Sequence, residues 1–537
     1  MESRAARKED RSEGMAIINK WSGALFSAAI AYILAVILPQ HLSLRNDRTA
    51  AVDVAKFDAT GQIEACVLLA RALPGIVYSE QHPSFDKFLS TYWALNAAEL
   101  RPACIVRPTD TNDVAAAVRT LRLGWAAGVD VKFAVRSGGH SPEAGFAGIA
   151  NGVVIDMSLI NEVSVSADRT STTIGVGARW REVYSTLDRQ GLAMVGGRNA
   201  NVGVGGLILG GGVSFFSPRF GMVCDNIDKY EIVLANGSIV VATAHQHADL
   251  WRALKGGTGN LGIVTRATTK AFPSGDLWAG YVYWANWQMP KVLRAFHEFN
   301  KPENFDNYAG GPILALAYVG DLGIRVIACS LSYTKPEKWP AVFDGFKSIW
   351  RLWSTIKVQS LTAVTEELDG LALSGQRQFQ VTTTIKNDLE TFEALNRIYT
   401  DTLPRTKTVK GSTWSLVFQP LSAAVTRKGS PNVLGLETRE ANDTLVIVLI
   451  CAVWERAEDD ELVYQISRDV IRQSEEYARE KGTSDPFIYL NYAASGQDVL
   501  SGYGDANRAF LDEVRTAYDP EAFFQLVKQG GFKLGVH

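Results

Sequence analysis

The stretch that most constrains the fold of this chain is the heptad Arg136-Ser137-Gly138-Gly139-His140-Ser141-Pro142, which follows directly on the largely apolar run Val131 to Val135. An apolar run that opens into two glycines reads as a buried strand ending in a tight turn. Glycine lets the main chain take positive φ and approach a ligand closely, so the N–H groups of such a turn can converge on a diphosphate. Ser137 and Ser141 place a hydroxyl on either side, and the imidazole of His140 stands within covalent reach of a molecule held there. The same residues also suit an ordinary strand-end turn with a surface histidine.

Downstream segments favour the ligand-binding reading. Gly175-Val176-Gly177-Ala178-Arg179-Trp180 follows the β-rich run Thr172 to Ile174 and leads into a helical pattern at Val183 and Leu187. The chain then runs from Gly196-Gly197-Arg198-Asn199 through Gly203-Val204-Gly205-Gly206 to Gly210-Gly211-Gly212, followed by Phe215-Phe216, Arg219-Phe220-Gly221 and Asp225-Asn226. Gly175-Val176-Gly177 and Gly203-Val204-Gly205 each begin like a Rossmann fingerprint. Neither continues with the third glycine and the acidic partner that a nicotinamide site requires. As an ordered set these segments resemble the flavin-binding domain of the vanillyl-alcohol oxidase and p-cresol methylhydroxylase (PCMH) superfamily, in particular its berberine-bridge-enzyme-like branch of fungal oxygen-dependent FAD-linked oxidoreductases.

The resemblance extends over nearly the whole chain after the N-terminus. Cys66, Leu73-Pro74-Gly75, Tyr92-Trp93 and Leu100 to Pro108 are similar to a lead-in segment; Lys255 to Thr265 is similar to the last strand and loop of the flavin domain. Tyr489-Leu490-Asn491-Tyr492 and Tyr518 through Leu534 are similar to a returning segment that closes the flavin site. The implied fold is α+β, a two-domain PCMH-type FAD-binding fold with a substrate domain built on an antiparallel sheet covered by helices. The expected boundaries are an N-terminal basic segment with signal peptide or membrane anchor over 1–45, a lead-in at 46–97, the FAD-binding domain at 98–273, the substrate domain at 274–484 and the returning segment at 485–537. The residues point the same way: short β-rich runs alternate with helical patterns such as Asp113 to Leu121 and Trp180 to Gln190. Beyond Trp278 come the long β-rich runs Tyr281 to Trp284, Ile313 to Val319, Arg325 to Thr334 and Thr444 to Val453. Amphipathic helices are expected near Ala341 to Trp353 and Asp388 to Thr400.

Carried over residue by residue, the resemblance implies FAD bound covalently to the imidazole of His140. Asn199 stands where some members have a second, cysteine link, so a single attachment is implied. Arg136, Ser137, Gly138, Gly139, Ser141, Gly203, Val204, Gly205, Gly206, Gly262, Val264 and Tyr492 are the further cofactor-binding candidates. Tyr489 is the leading catalytic base, provided its phenolate is stabilised, with Asn491 beside it; an aromatic strand of the core is the alternative for all three residues of that motif. Trp414, Phe418 and Gln419 are the substrate-pocket candidates. Val204 is expected to govern oxygen access to the flavin. The implied activity is oxidation of a small organic molecule, such as a fungal secondary metabolite, by hydride transfer to flavin with molecular oxygen as acceptor. Cyclisation or isomerisation on the same fold, carbohydrate or alcohol oxidation, and an inactive flavin-binding scaffold stay open.

Composition excludes some other classes. With 537 residues, 47% hydrophobic and 21% charged, and a formal net charge of −3, the chain is globular and lacks the basic field of a nucleic-acid partner. His245 and His247 are close in sequence but have no Cys or carboxylate set beside them, so no metal site is expected. No Gly-x-Ser-x-Gly elbow supports a serine nucleophile. Basic residues from Arg4 to Lys20 precede an uncharged stretch, residues 21–38, which reads as a signal peptide or an uncleaved membrane anchor and implies the secretory pathway. Five cysteines is an odd number. Cys66 and Cys104 bracket the segment that must dock on the flavin domain and are the expected disulfide, leaving Cys224, Cys329 and Cys451 as buried thiols. Asn236 and Asn442 head glycosylation sequons.

Overall fold

The structure, a computed structural model, describes residues 63–437, 439–440 and 444–535. The expected signal or anchor stretch and Asn442 lie outside these residues. Three larger sheets and a two-stranded one, Leu192–Ala193 with Phe272–Pro273, organise the described residues. The first has four strands, β1 (Val77–Ser79), β2 (Cys104–Val106), β3 (Phe133–Arg136) and β4 (Val153–Asp156), in the order β1-β2-β4-β3, with β4 parallel to both β2 and β3. All four residues of β4 are buried, as a central parallel strand covered on both faces requires. Helix α1 (Thr111–Ala126) connects β2 to β3, and its N-terminus is capped by Asp110, whose carboxylate accepts from the N–H groups of Asn112 and Asp113. The glycine turn leaves the C-terminal end of β3, the end at which α/β sheets bind ligands.

The second sheet has five strands: β5 (Val163–Val165), β6 (Ser171–Gly175), β7 (Ile227–Val233), β8 (Ile239–Thr243) and β9 (Ile263–Lys270), with β9 between β6 and β7. Helices α2 (Trp180–Asp188) and α3 (Val204–Leu209) carry the second and third glycine segments. One disulfide, Cys66 to Cys104, ties the helix Glu64–Ala72 to β2 with a Cα separation of 6.0 Å. Cys224 and Cys329 are buried free thiols, while Cys451 is only half-buried.

The third sheet has nine strands. Its long members are β10 (Leu277–Ala285), β11 (Ile313–Val319), β12 (Ile324–Tyr333), β13 (Arg377–Lys386), β14 (Thr413–Ser422) and β15 (Thr444–Trp454), paired antiparallel in the order β10-β12-β11-β14-β15-β13. Helices α4 (Met289–Phe299), α5 (Leu389–Thr402) and α6 (Asp460–Lys481) pack on one face, where Phe296, Phe392, Phe418, Trp414, Val448 and Ile466 share one apolar cluster. The helix expected over 341–353 does not form. A 3-10 turn at Ala341–Phe343 and the short helix Asp344–Lys347 occupy its first part, and Trp353 then pairs with Tyr283 on the sheet edge. Edge pairing takes up the backbone that a continued helix would have used. The segment 489–492 is likewise not a strand but a 3-10 turn, Leu490–Tyr492.

Candidate cofactor and substrate site

The site is built around the heptad. Gly138 touches Gly203 backbone to backbone: a Cβ added to Gly138 would lie 2.5 Å from the Gly203 Cα and 2.6 Å from its nitrogen. The first and third glycine segments, 65 residues apart, are therefore one surface. Gly139 takes φ +63°, which positions the turn over the Arg136 side chain. Arg136 is consumed by protein: it donates to Thr91 Oγ1 at 2.6 Å, faces Asp156 at 3.9 Å and lies between the rings of Phe88 and Tyr92. It supports the turn from within the core. Ser137 Oγ donates to the Val176 carbonyl at 2.6 Å and accepts from Gly205 N–H at 3.1 Å, locking the three glycine segments together. Ser141 Oγ accepts from Glu143 N–H at 3.2 Å.

The N–H groups of Gly138, Gly139 and His140 donate to no acceptor among the described residues, whereas those of Val204 and Gly205 are spent on the carbonyls of Ala178 and Val176. A turn with unspent buried donors suits a diphosphate. His140 is half-buried and stacks on Trp93 with ring centroids 4.3 Å apart and planes 7° from parallel; its Nε2 is sealed with no partner. Burial, and after it the guanidinium of Arg179, pushes the imidazole down to about 3, so it is neutral at physiological pH. Trp93 and Arg179 carry no sequence signal for a role at this site; only the fold brings them to His140.

Asn491 packs on the third glycine segment. Its Nδ2 donates to the Gly206 carbonyl at 3.3 Å, Gly210 has no room for a Cβ because of the Asn491 amide, and Asn491 Oδ1 is buried without a partner. Gly206 itself faces open space, with no atom within 4 Å of an added Cβ. Tyr489 is buried, and burial pushes its phenol well above the ordinary range; Arg198 and a hydrogen bond to the Val213 backbone pull the other way without reversing it. Tyr492, 4.8 Å from Tyr489 ring to ring, is the tyrosine that meets the cation: Arg198 Nη2 donates to its hydroxyl at 2.9 Å and to Gln419 Oε1 at 2.5 Å, and the Tyr492 hydroxyl donates to the same Gln419 oxygen at 3.2 Å.

Trp414 and Phe418 are the candidates whose expected placement changes. Trp414 and Phe418 lie in the helix-covered core of the large sheet, because residues of even number on β14 share that face, while Gln419 points to the opposite one. Val204 is 1% exposed within the apolar cluster, whereas Val202 is only partly buried. Gly262, at φ +154°, is required because a Cβ there would meet the Val233 carbonyl at 2.6 Å; Gly262 and Val264 serve strand packing between β9 and β7. Asn199 Oδ1 accepts from Asn201 N–H at 2.9 Å. His247 Nδ1 is 3.0 Å from the Tyr518 hydroxyl.

An FAD binding domain model matches residues 102–243. The chain is 34% identical over 452 residues to the FAD-dependent monooxygenase drtC of Aspergillus calidoustus, covering 83% of this chain and 85% of that protein. Among solved structures it is similar to 6-hydroxy-D-nicotine oxidase of Arthrobacter nicotinovorans, with TM-score 0.68, 21% identity and coverage of 84% and 96% of the two chains. It is also similar to the glucooligosaccharide oxidase of Acremonium strictum, described with a 6-S-cysteinyl, 8α-N1-histidyl FAD, at TM-score 0.67 and 21% identity over 88% of this chain and all of that one. The fold and site define an FAD-linked oxidoreductase. More particularly, the protein belongs to the PCMH-type, berberine-bridge-enzyme-like family that includes the fungal FAD-dependent monooxygenases.

Proposed function

We propose that the protein is a covalent flavoprotein oxidase in which His140 alone carries the FAD and a small organic molecule of the secondary-metabolite class is oxidised at the expense of oxygen. The carrying observation is the imidazole of His140, stacked on Trp93 with its Nε2 unpartnered at the end of a turn whose N–H groups are unspent. A nucleophilic imidazole must hold a free lone pair, which burial and Arg179 secure. Ser137 and the Gly138–Gly203 contact hold the cradle, and Asn491 with Gly206 forms its other wall. Bound FAD supplies the hydride acceptor. Proton transfer falls to Tyr492, which Arg198 and Gln419 orient. Asn199 has no thiol for a second link.

The test is peptide mass mapping after acid precipitation. A yellow pellet with flavin mass only on the peptide containing His140 is expected; a colourless pellet, or flavin on another peptide, overturns the attachment. Mixing photoreduced protein with oxygenated buffer tests the acceptor: rapid reoxidation with release of hydrogen peroxide is expected, and slow reoxidation rules out an oxidase.

A further inference from the structure

A cavity of about 190 Å³ opens beside the Arg198–Tyr492–Gln419 cluster, between the end of β14 and the residues that follow α4. Its wall is mostly apolar, with Val213, Phe305, Pro312 and Leu421 among the lining residues. Two polar side chains on it are incompletely satisfied. Arg198 is 9% exposed and spends only Nη2 on protein acceptors, Gln419 and Tyr492. Its Nε and Nη1 have no acceptor among the described residues, and the residue lines the cavity. The one carboxylate of the lining, Asp306, accepts from Tyr308 N–H at 2.7 Å and from the Tyr333 hydroxyl at 3.2 Å and forms no ion pair with Arg198. Asn300, 5% exposed, lines the same cavity with neither its amide oxygen nor its nitrogen partnered.

A buried guanidinium without a counter-ion is costly, because the lost hydration is returned only by a paired charge. Arg stays protonated, and its remaining N–H donors can form charge-assisted hydrogen bonds to an anion. We infer that this cavity is the substrate-recognition subsite and that it takes a molecule with an apolar body carrying an anionic oxygen group, a carboxylate or an acidic enol, which accepts from the uncommitted Nη1 of Arg198 while Asn300 hydrogen-bonds a second polar group. Because Arg198 also donates to Tyr492, seating the anion places the substrate next to the residue assigned to proton transfer. The inference rests on the proposed function for the identification of the bound anion as a substrate; the anion site itself stands on the cavity and Arg198.

Benzoate and benzamide, nearly equal in shape and differing in charge, test it on the full-length protein by titration calorimetry and thermal unfolding. Benzoate is expected to bind at least tenfold tighter and to raise the unfolding temperature where benzamide does not. Arg198→Gln is expected to abolish the preference, and Arg198→Lys to keep part of it. Should Arg198→Gln fail to fold, Ala424→Asp, which sets a carboxylate into the cavity wall, is expected to abolish it in the same way. Equal binding of the two probes, no binding of benzoate, or a preference that survives both neutralising changes overturns the inference. Flavin content after acid precipitation of the same preparations separates the two readings. A colourless pellet from protein that still prefers benzoate overturns the covalent attachment alone, and yellow protein without the preference overturns the anion site alone.

Discussion

Gly206 and Gly138 show how differently two glycines of one site are constrained. An alanine at Gly138 would drive its methyl into the backbone of Gly203, where no side-chain rotation relieves the contact. Gly138→Ala is expected to lower stability by more than about 2 kcal/mol, the range of overpacking, and to leave the protein without flavin. Gly206→Ala adds a methyl in open space within α3 and replaces a poor helix former, so stability is expected to rise by up to about 1 kcal/mol. If bound cofactor lies against Gly206, that stabler variant still loses flavin; unfolding curves and the flavin absorbance ratio measured together decide. At this scale the glycines and His140 were legible in the sequence, because their spacing carries the signal. Arg198 was not: it stands in the quoted run as one more cation, and only burial without a counter-ion sets it apart.

Strand β14 shows where reading by element succeeds and where it stops. The run Trp414 to Pro420 announces a strand, but its aromatic residues and its polar one sit at alternating parity and face opposite sides of the sheet. Phe418→Ala is therefore expected to cost about 3–5 kcal/mol through the cavity left among Phe296 and Phe392, with KM little changed in the folded fraction. Gln419→Leu is expected to alter turnover at a far smaller stability cost. The turn after the helix Ala248–Ala253 offers a pH test. Lys255 is buried, bonds Ser430 Oγ at 2.6 Å and lies 3.3 Å over the Trp251 ring; burial pulls it from 10.5 down to about 8. Between those values the unfolded chain holds the extra proton, so stability rises as pH increases through this window. Urea unfolding from pH 8 to 10.5 is expected to show a gain of on the order of 3 kcal/mol at most. Lys255→Met should flatten the curve, and an unchanged slope would refute the assignment to Lys255.

For the whole molecule, the α+β flavin unit and the antiparallel sheet covered by helices were readable from alternating β-rich runs and the family resemblance, whereas α6, the longest helix among the described residues, was not singled out and the edge pairing of Trp353 was not readable. The edge pairing depends on which neighbour is present in space, on which periodicity is silent, whereas Val463, Ile466, Val470 and Ile471 of α6 do recur at helical spacing. The Cys66–Cys104 bridge belongs to this scale because it fastens the lead-in helix to the sheet that presents the glycine turn. Thr91 and Trp93, which hold Arg136 and His140, lie inside the 38-residue span that the bridge closes. Closing a loop of that length restricts the unfolded chain by about 3–4 kcal/mol in the entropic account. Replacing both cysteines, Cys66→Ser with Cys104→Ser, is expected to lower the unfolding free energy by about that amount. Flavin release on heating should move to lower temperature in parallel, since the loosened span carries the ring that stacks on His140. Dithiothreitol in denaturant should reproduce the loss in the native protein and leave the double variant unaffected. If the double variant unfolds at the native denaturant concentration, the bridge contributes no stability and the lead-in is held by its apolar contacts alone.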